Sequence, residues 1–132
     1  MPYHTYSFEK LEVWQKARSI KKEIYKDTRQ FPKDELFALT SQIRRAIGSV
    51  TANLAEGSGR ASQVDKANFV NMAYSSGLEV LDHLITAYDL EYINQKAYED
   101  YRPKMDELLN KLNAYYKYQL NRKENLKSKL KE

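Results

Sequence analysis

Apolar residues recur every three or four positions along most of this chain, a spacing typical of amphipathic α-helices. On this pattern we predict helices over residues 9–30, 34–57, 63–91 and 95–118. The predicted connections are short, and no segment alternates apolar and polar residues as a strand does. We therefore predict an all-α protein, an up-down-up-down four-helix bundle over residues 1–118. Residues 119–132 are predicted to form a basic polar C-terminal tail.

The second predicted helix is expected to be the central one, because every part of its surface is specialised. Its aliphatic stripe comprises Leu36, Leu39, Ile43, Ile47, Val50 and Leu54. Small residues that let another backbone approach flank one side of the stripe, namely Gly48, Ala52 and Ala55. A polar seam flanks the other side, formed by Gln42, Ser49, Asn53 and Glu56. We expect Gly57 and Gly59 to end this helix in a left-handed turn.

The later helices carry recognisable boundary signals. Ser62 and Asn94 are the predicted N-caps of the third and fourth helices. Pro103 is expected to bend or break the fourth helix near residues 99–103. Alternatively, a short helical turn ends near Tyr101 and the long helix restarts around Pro103. From Lys117 onwards the chain is either a frayed extension of the fourth helix or disordered.

The periodic positions give a predicted core. The side chains expected to be mostly buried are Trp14, Ile24, Leu39, Ile43, Ile47, Val50, Leu54, Phe69, Ala73, Val80, Leu84, Met105, Leu108 and Leu112.

The third helix has more apolar positions than one bundle core requires. A second stripe, a candidate subunit interface, runs through Leu78, Leu81, Ile85, Tyr88 and Tyr92. Charge is divided as well: residues 9–29 hold seven basic and four acidic residues, whereas residues 79–107 hold three basic and eight acidic residues. Head-to-tail packing would bring these opposite charges together, and such contacts close into rings. We therefore predict a cyclic homo-oligomer.

The net charge of +4 arises entirely from the last 16 residues, and from Tyr115 onwards bases follow or alternate with Tyr115, Tyr116 and Tyr118. This composition suits single-stranded nucleic acid, although a solubilising end explains it too. The candidate contacts for nucleic acid or another anion are Arg44, Arg45, Arg60, Lys117, Arg122, Lys123 and Lys127. Arg60 follows a glycine-rich turn and precedes a helix N-terminus, where a phosphate or a plain tight turn would both fit.

Several functional classes are disfavoured by the sequence. There is no cysteine, which removes disulfides and thiolate metal sites and fits a cytoplasmic location. We expect no signal peptide and no membrane span, since no apolar run is long enough. His4 and His83 are the only histidines, and the pair Asp82–His83 is expected to be solvated. With no catalytic motif, we predict no metal, no cofactor and no enzymatic activity.

Residues 42–60 read Gln-Ile-Arg-Arg-Ala-x-x-Ser-Val-x-x-Asn-x-Ala-Glu-Gly-x-Gly-Arg. This motif resembles the signature of the bacterial four-helix-bundle family that includes the 23S rRNA intervening-sequence proteins. Residues 11–17, 31–39 and 69–79 resemble further blocks of the family, in the family's order. The sequence departs from the family at Ser75, where glycine is expected, and in its longer, more basic C-terminal end.

The resemblance implies a left-handed up-down bundle that assembles into a ring of five subunits and has no established catalytic activity. Related accessory proteins of diversity-generating retroelements bind nucleic acid and a reverse transcriptase. Our first hypothesis is thus an oligomeric scaffold or binding module for RNA or DNA. The alternative is a protein-protein interaction ring that binds no nucleic acid.

Overall fold

The computed structural model describes the backbone of residues 2–131 and the side chains of residues 2–122. Four helices form the fold: α1 (Glu12–Asp27), α2 (Ser41–Ser58), α3 (Gln63–Asp89) and α4 (Gln95–Lys131). Shorter turns complete it, three of 3-10 geometry (Ser7–Lys10, Thr28–Gln30, Lys33–Glu35) and one of π geometry (Leu36–Thr40). The described residues contain no strand. The predicted all-α four-helix bundle is confirmed, while its up-down-up-down topology and its left-handed sense stay predictions.

Contacts between α1 and α4 run in opposite directions along the two helices. Three ion pairs join them, with nitrogen–oxygen distances of 2.6, 2.8 and 2.7 Å: Glu12–Lys111, Lys16–Glu107 and Glu23–Lys104. Beyond these, the Tyr101 hydroxyl donates a hydrogen bond to the Asp27 carboxylate. Burial, together with this hydrogen bond, raises the pKa of Tyr101, so the phenol keeps its proton. The two helices are therefore antiparallel, and much of the charge on this face of α1 is paired within the chain.

α3 is antiparallel to both of its neighbours. Ser49 of α2 lies 2.9 Å from Ser76 of α3, hydroxyl oxygen to hydroxyl oxygen. On its other side, α3 stacks Tyr88 on Tyr98 of α4, with ring centroids 4.8 Å apart. As a result, the α2–α3 loop and the later part of α4 lie at the same end of the bundle.

The core is built around the aliphatic stripe of α2. Ile43, Ile47 and Val50 are fully buried, and Leu54 is nearly so. Burying each such side chain contributes roughly 1.5–3 kcal/mol. The other side chains predicted to be mostly buried are buried in the structure, except Trp14, Leu39 and Phe69, which are only partly buried.

The predicted start of the second helix is wrong. Residues 36–40 form a π-helical turn instead, and Ala38 (φ −123°, ψ −108°) has non-helical dihedrals. α2 itself begins at Ser41. This change of conformation takes Leu36 out of the stripe, so its side chain is about half exposed (48%) rather than buried.

The predicted left-handed exit from α2 is also wrong. Gly59 has φ −91° and ψ −3°, which is right-handed, and Gly57 lies inside the helix. Gly57 is required for a different reason: a Cβ placed there would lie 2.8 Å from the Cβ of Phe69. This glycine lets α2 and α3 approach closely.

The predicted caps of α3 and α4 are confirmed, since Ser62 Oγ accepts a hydrogen bond from the Asp65 amide and Asn94 Oδ1 accepts one from the Ala97 amide.

α4 passes through Pro103 without ending. The predicted break, and the alternative of a restart at Pro103, are therefore wrong, whereas a bend stays a prediction. Proline removes the amide that would bond to the carbonyl of Glu99. Pro103 and Glu99 are both exposed, so water can satisfy that carbonyl.

α4 also continues past residue 118, the predicted end of the bundle domain. Gln119 is buried (3% exposed), so packing extends at least that far. Lys117 therefore begins an extension of the helix, and a separate tail over residues 119–132 stays a prediction. No helix in the described part of the chain combines the length and apolar character that crossing a membrane requires.

We predict that Gly57→Ala destabilises the fold by about 1–3 kcal/mol, because the added methyl group overpacks against the Cβ of Phe69. Gly59→Ala is the matched control, since its Cβ would meet its nearest neighbour at 3.5 Å and its dihedrals suit alanine. Urea unfolding measures both variants. Equal stability of Gly57→Ala and the unmodified protein would contradict the close approach of α2 and α3.

Candidate nucleic-acid and subunit interfaces

Arg44 is held by its own chain at the α1–α2 contact. Its Nε donates to Thr28 Oγ1 at 2.9 Å, and its guanidinium carbon lies 4.9 Å from the centre of the Tyr25 ring. The neighbouring Arg45 is exposed, donates to Gln42 at 2.6 Å and lies 3.9 Å from the Glu79 carboxylate. Both guanidinium groups therefore have partners within the chain.

Arg60 lies in the loop that joins α2 to α3. Its guanidinium carbon lies 4.4 Å from the centre of the Phe69 ring. The helix N-terminus beside it is already capped by Ser62, and Asp65 places an acid in its first turn. A phosphate site at this N-terminus is therefore disfavoured, while the exposed Arg60 remains available as a single cation.

The later part of α4 carries exposed cations next to aromatic rings. Tyr115 and Tyr118 stack with ring centroids 6.2 Å apart, and Arg122 lies over Tyr118 at 5.9 Å. Lys117 and Arg122 are exposed, and Tyr118 is 54% exposed. Among the side chains described, neither Lys117 nor Arg122 has an ion-pair partner within 4.0 Å.

Two of the predicted nucleic-acid contacts, Lys123 and Lys127, lie outside the residues whose side chains are described. The five described candidates fall into two groups: Arg44 and Arg45 near the start of α2, and Arg60, Lys117 and Arg122 towards the opposite end of the bundle.

The apolar stripe predicted as a subunit interface is divided between the core and the surface. Leu81, Tyr88 and Tyr92 are partly buried and pack against the core. Tyr92 also donates a hydrogen bond from its hydroxyl to the Glu35 carboxylate. Leu78 and Ile85, by contrast, are 46% and 37% exposed. Within this stripe, Leu78 and Ile85 are therefore the two side chains with enough exposed apolar surface for another molecule to cover.

An open groove between α1 and α2 is a feature that the sequence analysis did not identify. Its volume is about 620 Å³. Trp14 and Tyr25 of α1 line it, together with Phe8 from the preceding turn. Basic side chains of α1 complete that wall, namely Arg18, Lys21 and Lys22.

The floor of the groove is the small-residue stripe of α2. Gly48, Ala52 and Ala55 line it, and a Cβ built on Gly48 would meet nothing within 4 Å. We expected another backbone to approach this stripe, but α1 leaves it open. The sequence signal for the groove was therefore present in these residues, while the separation between α1 and α2 was not apparent from helical periodicity.

The residues considered for chemistry are not assembled into a catalytic arrangement. His83 Nε2 lies 3.1 Å from the Glu79 carboxylate, whereas His83 Nδ1 lies 3.9 Å from the Asp82 carboxylate. The contact with Glu79 is therefore closer than the expected pairing with Asp82. Glu56 is exposed and makes no hydrogen bond or ion pair with the side chains described. No group of three histidine, aspartate or glutamate residues that could hold a metal occurs within that part of the chain.

The profile of the family described as the 23S rRNA-intervening sequence proteins matches residues 9–114. The chain belongs to this family. The match spans most of the chain and stops before Lys117, so Lys117 and Arg122 lie beyond the family's matched region.

A crystal structure of a protein of unknown function from the S23 ribosomal protein family of Bacteroides thetaiotaomicron is similar to this chain. The TM-score is 0.72 at 24% sequence identity, over 80% of this chain and 95% of that chain. Similarity at this identity shows a shared fold. A comparison with curated proteins gives no match.

Proposed function

We propose that this protein is a non-enzymatic, self-associating binding module that takes single-stranded RNA or DNA on the later part of α4. The observation that carries the proposal is the exposed series Lys117, Tyr118 and Arg122, in which cations without ion-pair partners among the described side chains flank an accessible ring. Arg60 lies towards the same end of the bundle and extends the basic surface.

The physical basis is phosphate neutralisation combined with base stacking. Stacking on an aromatic side chain contributes about 1–3 kcal/mol per base and tolerates any sequence. Arginine and lysine add a term that weakens with salt, because binding releases counterions from the phosphates. Assembly into an oligomer would place several copies of this surface together and strengthen binding through effective concentration.

The proposed absence of catalysis is supported by the character of the groove between α1 and α2. Its lining contains aromatic, aliphatic and basic side chains and the hydroxyl of Thr51, but no carboxylate and no histidine. A general acid-base pair is therefore missing from the place where a substrate would be enclosed.

A second candidate function is a protein-interaction ring that binds no nucleic acid. It is favoured by the exposure of Leu78 and Ile85, because two large aliphatic side chains on one helix face suit a protein contact.

We predict that labelled single-stranded RNA and DNA bind the protein, and that the affinity falls steeply as salt rises, with a log-log slope of about −0.7 per phosphate contact. Substituting Lys117→Gln together with Arg122→Gln should weaken binding by about tenfold and lower the slope. The charge-matched control is Arg29→Gln with Lys33→Gln, two exposed residues at the other end of the bundle. Fluorescence anisotropy across a salt series measures all three proteins. The absence of binding at every salt concentration would favour the protein-interaction ring.

We also predict a cyclic homo-oligomer, with five subunits on the resemblance to the family. Light scattering at working concentration gives the mass. A value near the 15.5 kDa of one chain would contradict self-association, and a dimer would contradict head-to-tail packing while retaining an apolar interface.

A further inference from the structure

The four glycines of the chain are not equivalent. Gly57 and Gly77 face the interior of the bundle, where a Cβ at either would lie 2.8–2.9 Å from a neighbouring side chain of the same chain. Gly48 faces open space, since a Cβ placed there would have nothing within 4 Å. Packing within one chain therefore gives no reason for the smallest residue at Gly48.

Gly48 begins the stripe of small residues that forms the floor of the groove, followed by Ala52 and Ala55 at spacings of four and three. Residues at this spacing share one helix face. A floor of this kind lets the backbone of a second helix come close, provided that the second helix brings larger side chains to fill the space.

Such side chains occur on α3, at the same spacing. Leu78, Asp82 and Ile85 follow one another at intervals of four and three and are all exposed. Seven residues of helix separate Leu78 from Ile85, and seven separate Gly48 from Ala55, a rise of about 10.5 Å in both cases. The apolar residues of α3 therefore match the length of the floor.

The charges of the two surfaces are complementary. Arg18, Lys21 and Lys22 border the groove, and none of them has an ion-pair partner within 4.0 Å among the described side chains. On the α3 face, Asp82 lies between the two aliphatic residues and Asp89 follows them; both acids are exposed.

We propose that the α1–α2 groove of one subunit receives the α3 face of the next, with Leu78 and Ile85 over the stripe of Gly48, Ala52 and Ala55. This inference rests on the self-association proposed above and adds the two surfaces that meet. The surfaces are different and lie on different helices, so the contact is heterologous and propagates from subunit to subunit.

Nucleic acid is a weaker fit to the groove than a second copy. The Arg18 guanidinium carbon lies 5.4 Å from the centre of the Trp14 ring, and that of Arg44 lies 4.9 Å from the centre of the Tyr25 ring. The floor between these rings is formed by small residues of α2, namely Gly48, Ala52 and Ala55, together with Thr51. This leaves the groove better suited to aliphatic side chains flanked by acids.

The first test exploits the lack of native cysteine. Ala52 and Asp82 occupy the middle of the two matched stretches, so Ala52→Cys with Asp82→Cys brings the thiols together whether the helices run parallel or antiparallel. Mild oxidation should link the double variant into a ladder on a non-reducing gel, at multiples of 15.5 kDa. Ala52→Cys alone should stay unlinked. Replacing Asp82→Cys by Asn110→Cys, on exposed α4, gives the matched control and should produce no ladder.

The second test exchanges the charges. Lys21→Glu with Lys22→Glu, or Asp82→Lys with Asp89→Lys, should each raise the concentration at which the oligomer dissociates by about tenfold. Combining all four substitutions in one chain should recover most of that loss, because opposite charges again face one another. Circular dichroism of each variant verifies that the bundle is folded.

The outcomes separate this inference from the proposed function. Two results would overturn the pairing of these two surfaces while self-association stands. The first is a dimer linked through Ala52→Cys alone. The second is an oligomer in which the double-cysteine variant stays unlinked and the combined charge exchange shows no recovery. An unmodified protein that is monomeric at all concentrations overturns the self-association and the pairing together. Nucleic-acid binding by α4 is measured independently of both.

Discussion

The requirement to bury the aliphatic stripe of α2 completely governs the arrangement of the other helices. Ile43, Ile47 and Val50 are inaccessible to solvent, which one neighbouring helix cannot achieve alone. α3 comes close on one side because Gly57 leaves room for Phe69. α1 and α4 complete the enclosure and are joined by ion pairs that, being exposed, contribute about 0–1 kcal/mol each. Apolar burial therefore holds the bundle together, while the charges on α1 and α4 specify which faces meet.

Sequence periodicity predicted the helices well wherever the apolar stripe and the capping residues agreed. Ser62 and Asn94 are examples, because an N-cap is decided by the chain within three residues. Prediction failed at Ala38, where periodicity continued but the backbone left the helix. It also failed at Pro103, where an exposed position made the missing hydrogen bond tolerable. In both cases the outcome depended on tertiary position, which a helical wheel does not contain.

The candidate site was less predictable than the fold for the same reason. Exposed and buried apolar residues alternate within one stripe of α3, so Leu78 and Tyr88 were indistinguishable until the position of α4 was known. Charge shows the same limit: the intramolecular partners of Lys16 and Lys104 are far away in sequence. The cations of α1 that face the groove take no part in these ion pairs. They lie on the surface that we propose a second subunit covers.

Trp14 allows the most direct test of that account, since it is the only tryptophan of the chain and lines the groove. Its fluorescence can be followed in the unmodified protein as the concentration is raised through the assembly range, with light scattering recorded on the same samples. If α3 of a second subunit covers the groove, the emission maximum should move to shorter wavelength and quenching by acrylamide should fall in step with the rise in mass. An increase in mass with no change in the emission or quenching of Trp14 would contradict the account.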